Sequence, residues 1–295
     1  MEIPPYPASR PLAMTDKPLL DRLCADIQPR ISELTFAALY LFRGAHDYRL
    51  ATAAGAIIVL GRGYDGSAYF LPPLGGDVRK ALNIMFADGL ALYGADVQFI
   101  EKYLTENSTI QFTELRNSYD YLYLREELAT LPGSRFHKKK NHINYFSKRH
   151  NYTVSHLSRK HLGGCLNVLN KWKDGSMSEE KNPLLMEVEA TAEALQCSDA
   201  LGLEGVVVVV NNTVAAFALG ERLNRETAVC HFEKADPFME GLNQLVNREF
   251  ARLLFQDCQY VNREQDLGNM GLRSAKLSYH PVDMVKKYLC HMPQP

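Results

Sequence analysis

The clearest pattern in the chain is a change of hydrophobic period in its second half. Gly205 to Val210 is a glycine followed by five valines, an unbroken β-rich run, and Thr213 to Leu219 is a second such run two residues later. Asn211-Asn212 between them tolerates positive φ, so the pair predicts a β-hairpin. Thr227 to Phe232 predicts a third strand after an Asn224-Arg225 turn. The period then becomes helical: Phe238, Leu242, Leu245, Val246, Phe250, Leu253 and Leu254 fall on one stripe. Asp236-Pro237 reads as the start of that helix, because Asp caps free N–H groups and proline fits a first turn. Cys258 to Asn262 returns to strand.

The first half shows the same order. Residues up to Asp16 are proline-rich and read as a loose tail, Leu19 to Ile27 as a short helix, and Glu33 to Arg43 as an apolar segment. Arg49–Ala53, Ala56–Leu60 and Ser67–Leu71 predict three strands. Gly75-Gly76-Asp77 opens a helix running to about Tyr93, and Val97–Ile100 predicts a strand. Tyr119 to Leu131 has helical spacing, stopped by Pro132-Gly133. Between the halves, Thr153–Leu157 predicts a strand, and Leu162–Trp172 and Glu187–Leu195 predict helices. Phe70 to Phe99 and Phe232 to Val261 both span 29 positions. The pattern therefore predicts a structural duplication: one domain over 16–134, a basic linker over 135–152, and a second domain over 153–295.

The 295 residues are enough for two domains of about 150 each. A hydrophobic share of 46 % and a charged share of 23 % exclude a disordered chain, a collagen and a coiled coil. No run reaches the roughly 18 apolar residues of a membrane span. The N-terminus lacks the apolar core of a signal peptide. Six scattered cysteines, with no CxxC and no His pair at zinc spacing, predict free thiols in a reducing cytoplasm and no metal site.

The net charge of −1 hides a polarised distribution. Leu128 to Lys173 carries ten Lys or Arg and no acid, which makes it a candidate surface for a polyanion. Its candidate contacts are Arg135, Lys138, Lys139, Lys140, Asn141, Lys148 and Arg149. The alternative is a solvated helix whose charges face water.

Two glycine motifs carry no cofactor signal. Gly61-Arg-Gly-Tyr-Asp-Gly66 precedes a strand, whereas a dinucleotide fingerprint precedes a helix, so it predicts a hairpin turn. Asp77 after Gly75-Gly76 predicts a helix cap. The densest chemistry lies at 261–281, from a strand end through a Gly-rich turn onto a short helix. Asp266 there is a candidate general base or acceptor clamp, with a structural salt bridge as the alternative. Arg273 and Lys276 sit three residues apart on one helix face, as candidate ligands for phosphate or developing negative charge. Tyr279 is a candidate proton donor.

Asn262-Arg-Glu-Gln-Asp-Leu-Gly-Asn-Met-Gly-Leu-Arg-Ser-Ala-Lys-Leu-Ser-Tyr-His-Pro-Val282 resembles the signature of the phosphatidylglycerol lysyltransferase C-terminal domain family. Asp120-Tyr-Leu-Tyr-Leu-Arg-Glu-Glu-Leu128 and Gly133 to Asn144 support the resemblance, which covers nearly the whole chain. It implies an α/β fold of two tandem GNAT domains of the Fem type, each a mixed sheet flanked by helices. It also implies transfer of an aminoacyl group from aminoacyl-tRNA to an amine or hydroxyl, in some members a phospholipid headgroup. Asn262, Asp120 and Arg125 become candidate substrate contacts. An acyl-CoA donor is the alternative, although Glu233-Lys-Ala-Asp-Pro237 is acidic where ordinary GNAT enzymes hold pyrophosphate. A non-catalytic binding module is a third possibility.

Overall fold

The computed structural model describes residues 2–174 and 183–293, and the Lys173 side chain of the basic stretch lies outside the described residues. The first part of the chain forms β1 (Arg10–Pro11), α1 (Lys17–Ile27), α2 (Phe36–Leu41), α3 (Arg43–His46), β2 (Arg49–Ala53), β3 (Ala56–Arg62), β4 (Ala68–Phe70), α4 (Val78–Ala87), β5 (Ala91–Asp96), α5 (Val97–Tyr103) and β6 (Gln111–Glu114). The Pro-rich start is not loose throughout, because β1 pairs with β2. The Gly61–Gly66 segment joins β3 to β4, as expected of a hairpin turn. Asp77 caps α4 through the Lys80 N–H, also as expected.

Two expectations fail here for local reasons. Gly89, at positive φ, ends α4 early, so the strand is Ala91–Asp96. Asp96 then accepts the Phe99 N–H as an N-cap, which makes Val97–Ile100 the first turn of a helix rather than a strand.

The chain continues as β7 (Asp120–Leu124), α6 (Arg125–Thr130), α7 (His137–Ser147), β8 (Tyr152–His156), α8 (Leu162–Asp174), α9 (Pro183–Gln196), α10 (Ser198–Leu201), β9 (Glu204–Val210), β10 (Thr213–Arg222), β11 (Thr227–Ala235), α11 (Leu242–Leu253), β12 (Tyr260–Asn262), α12 (Met270–Leu277), β13 (Asp283–Val285) and β14 (Lys287–His291). Asn211 and Asn212, both at positive φ, turn β9 into β10 as the pattern predicted. Tyr119–Leu131 is not one helix: Tyr121 and Tyr123 alternate into the core on β7, and only the residues after Leu124 are helical. Asp236-Pro237 does not start α11 either. Asp236 accepts the Phe238 N–H in a turn, Phe238 is 89 % exposed, and the helix begins after Gly241. Glycine is required there, since a Cβ would lie 2.1 Å from the His142 carbonyl oxygen and φ is +89°.

Two compact units result. The first joins the chain up to Asp120 with Gln265–Arg273 and the segment from Met284; the second joins Tyr121–Glu264 with Ser274–Asp283. The 135–152 segment, expected as a linker, thus lies inside the second unit, and α7 is one of its helices. The sheet orders are β1-β2-β3-β4-β5-β14-β6 and β13-β7-β12-β11-β10-β9-β8. In each, three antiparallel strands lead through a helix to a strand parallel to the third: β2-β3-β4-α4-β5 and β9-β10-β11-α11-β12. The duplication is topological, and the 29-residue match does not carry it, because Phe70 lies opposite Leu92. Each parallel strand has an antiparallel neighbour distant in sequence: β14 beside β5, and β7 beside β12.

In the first unit β14 is held by charge as well as by its ladder. Lys287 is fully buried, 2.6 Å from Glu33 and 2.7 Å from Asp120. Burial opposes its charge, but Asp120 and Glu33 hold its ammonium above the usual lysine range. Burial also pushes the Glu33 carboxyl up, against the pull of Lys287. Removing one partner of a buried pair costs about 3–5 kcal/mol. Lys287→Met is therefore expected to lose stability of that order at pH 7 by urea titration. The deficit should shrink toward pH 5, as the stranded Glu33 carboxyl, already pushed up by burial, takes up a proton; a deficit unchanged with pH would contradict the charge argument.

Candidate active site

In the second unit β11 and β12 pair in parallel only from Thr227/Tyr260 to Val229/Asn262. β11 runs on to Ala235, while the other chain turns away, so the pair opens like a wedge. The turn is fixed from several sides. Asn262, fully buried, accepts the Glu264 N–H at 2.8 Å, and Glu264 adopts φ +52°. Lys276, reaching back from α12, donates to the Arg263 and Glu264 carbonyls. The Tyr123 hydroxyl donates to the Lys276 carbonyl at 2.8 Å.

His231 secures the side chain of the same turn. It lies 2.6 Å from Glu264 and 2.9 Å from Glu221. Burial disfavours the imidazolium, but hydrogen bonds to the two carboxylates outweigh it and raise the pKa to about 10.

Arg263 and Glu233 face each other in the wedge. Arg263 Nη2 lies 3.3 and 3.2 Å from the two Glu233 oxygens, and Asn247 of α11 donates to Glu233 at 2.8 Å. Arg263 Nη1 and Asn247 Oδ1 are both buried without a hydrogen-bond partner. Buried polar groups are nearly always paired, so this donor and acceptor are exceptions that set the wedge apart. Tyr279, 6 % exposed, lies under the guanidinium with 5.0 Å from the cation to the ring centre. Lys139 of α7 covers the Tyr279 ring at 4.1 Å and donates to Ser278 Oγ at 2.7 Å. Burial, then Arg263, lowers the Lys139 pKa, and burial raises that of Tyr279.

The residues singled out in the sequence divide accordingly. Lys276 and Tyr279 stand at the wedge, Lys276 as a turn brace. Asn262 shapes the turn. Arg125 ties backbone carbonyls, donating to Ala251 and Cys258. Asp120 and Asp266 lie in the first unit. Asp120 accepts from the Ser32 N–H and Lys287. Asp266 is fully buried, with Arg273 on both oxygens at 2.8 and 2.9 Å, Arg116 at 3.1 Å and the Gly268 N–H at 2.8 Å. These donors occupy both oxygens of the carboxylate, so the geometry favours the salt-bridge alternative.

The basic run also divides. Lys139 turns into the wedge, Lys140 donates to the Gly133 carbonyl, and Arg135 pairs with Glu127. Lys138, Asn141, Tyr145, Lys148 and Arg149 are exposed, and Arg149 stacks on Tyr145. Their spacing of three and four places Lys138, Asn141, Tyr145 and Lys148 on one helical face. Arg263, Asn247 and His231 were not singled out in the sequence, and Glu233 entered only as an acid unfavourable to pyrophosphate. The available signal was the alternation of His231 and Glu233 in a largely buried strand that also carries Lys234.

A family model described as phosphatidylglycerol lysyltransferase, C-terminal, matches residues 24–291. A conserved protein of unknown function from Bacteroides thetaiotaomicron VPI-5482 is 30 % identical, with TM-score 0.88 over 97 % of this chain and 99 % of that one. L-PGS from Bacillus licheniformis is 15 % identical, with TM-score 0.60 over 87 % and 91 %. FemX is 9 % identical, with TM-score 0.56 over 97 % of each chain. The fold is thus a tandem GNAT arrangement of Fem type, with two mixed sheets flanked by helices. Among the described residues no helix is long and apolar enough to cross a membrane.

The His231 bridge has a pH signature. Its folded pKa of about 10 lies above the unfolded value of roughly 6.5. Its stabilisation is complete below pH 6.5 and is lost as pH rises toward 10. Urea titrations should show wild type losing more stability than His231→Gln between pH 6.5 and 9.5; parallel losses would contradict the bridge.

Proposed function

Because this chain belongs to the phosphatidylglycerol lysyltransferase C-terminal family, we propose that it transfers an aminoacyl group from aminoacyl-tRNA to a hydroxyl or amine acceptor. Lysyl is the first group to test, and a phospholipid headgroup is the first acceptor. The carrying observation is the unused, buried Asn247 Oδ1 beside Glu233 in the wedge. An aminoacyl ester presents an α-ammonium, which needs such an acceptor and a carboxylate.

In this reading Glu233 and Asn247 hold the α-ammonium, which fixes the ester carbonyl over Tyr279. The acceptor oxygen or nitrogen bonds to the carbonyl carbon, and the bond from that carbon to the ribose oxygen breaks. Tyr279, kept protonated by burial, gives its proton to the ribose oxygen and recovers one from the acceptor. Lys276 and His231 act through the turn that positions Arg263. The exposed α7 face, with Lys138, Asn141, Tyr145, Lys148 and Arg149, offers cations and an aromatic ring to tRNA.

An acyl-CoA donor fits less well. Asp236 and Glu240 lie before α11, and the His142 carbonyl packs against Gly241 where a pyrophosphate would need N–H groups.

Radiolabelled lysyl-tRNA with phosphatidylglycerol vesicles, and with soluble amines, tests the reading. Wild type should transfer label to one of them, with Tyr279→Phe and Glu233→Gln slower by about 10²-fold or more while remaining folded. No transfer to either class would refute it. Separately, Lys138, Lys148 and Arg149 all changed to Glu should abolish tRNA binding and flatten its salt dependence. Unchanged binding in a filter assay would move tRNA off this face.

A further inference from the structure

The wedge of the second unit holds more positive charge than its own residues balance. Lys139 and Arg263 approach it from α7 and from the turn after β12, and Glu233 on β11 answers both. The other acid at the turn, Glu264, is engaged by His231. Lys276 is directed onto two backbone carbonyls. Lys139 has no ion pair among the described residues; its contacts are Ser278 Oγ and the Tyr279 ring. Arg263 directs Nη2 at Glu233 and leaves Nη1 buried without an acceptor.

We infer that Lys139 and Arg263 form a binding site for a singly charged oxyanion, a phosphodiester or a carboxylate. Two independent observations meet at the Tyr279 ring: an ammonium with no ion pair among the described residues, and a buried guanidinium N–H with nothing to donate to. A water molecule would answer the N–H but leave the charge unbalanced, whereas an oxyanion answers both. Guanidinium and ammonium groups bind oxyanions through short, charge-assisted hydrogen bonds. Tyr279 forms the floor, its ring centre 4.1 Å from the Lys139 ammonium and 5.0 Å from the Arg263 guanidinium. The site deepens the transferase reading, and within it the oxyanion belongs to the acceptor, beside the α-ammonium on Glu233 and Asn247.

Three probes separate the chemistries: dimethyl phosphate, acetate and neutral glycerol, each titrated into the full chain by calorimetry and by thermal shift. Dimethyl phosphate or acetate should bind saturably and raise the melting temperature by mass action, while glycerol does neither at matched concentration. Preference for dimethyl phosphate assigns a phosphodiester, and preference for acetate assigns a carboxylate. Lys139→Gln and Arg263→Gln should each weaken binding about tenfold or more, and Lys160→Gln, on an exposed surface, should not. If Arg263→Gln fails to fold, Lys139→Gln on the half-exposed side of α7 carries the comparison. Absence of saturable binding to wild type, or undiminished binding to Lys139→Gln, overturns the site. Binding that persists where a bulk aminoacyl-tRNA pool supports no transfer refutes the transferase reading and leaves the oxyanion site standing.

Discussion

The parallel pairing between β11 and β12 lasts three residue pairs, and the chemistry of the second unit depends on its early end. A longer ladder would bury the Arg263 side of the turn against β11 and close the wedge. The chain leaves the sheet because Asn262 claims the Glu264 N–H and Glu264 takes a left-handed φ, a conformation that non-glycine residues adopt at a cost. Lys276 takes up the two carbonyls exposed by that departure, and His231 anchors the Glu264 side chain. Much of the charge near the wedge therefore serves the backbone, and what is left over faces the opening.

The first unit has the same order of strands but a different electrostatic outcome. Its parallel pair, β4 with β5, is also short, with two residue pairs. Its buried charges are matched in place, Lys287 with Glu33 and Asp120, and Asp266 with Arg273 and Arg116. Those pairs tie segments distant in sequence into one body, including the C-terminal strand beside β5. A duplicated topology thus supports one unit in which Lys287 and Asp266 are paired in place and one whose wedge keeps a donor and an acceptor without a hydrogen bond.

Elements whose signal is local were legible in the sequence. The Asn211-Asn212 hairpin, the three-strand runs and the Asp77 cap need only neighbouring residues, and each is present. Val97–Ile100 misled because its apolar run carries no mark of the Asp96 cap that makes it helical. Tyr119–Leu131 misled because its strand is stabilised by pairing with β12, some 140 residues on. The stretch around 262–280 stood out in the sequence for its dense polar chemistry and its family resemblance, yet the contacts within it followed partners that no spacing reveals. Asp266 had the residue type of a base and is held by two arginines and a backbone N–H. Lys138, Lys139 and Lys140 read as one run, but helical geometry turns successive residues about 100° apart, which sends Lys139 inward and leaves Lys138 outside.

The central claim is that substrate enters the opening between β11 and β12. Hydrogen–deuterium exchange, with and without a non-hydrolysable 3′-aminoacylamino-adenosine, tests it most directly. Slower exchange at the amides of 230–235 and 277–280, with the rest of the chain unaffected, is the predicted result. Protection confined to the first unit, or none in the wedge at saturating ligand, would contradict the account.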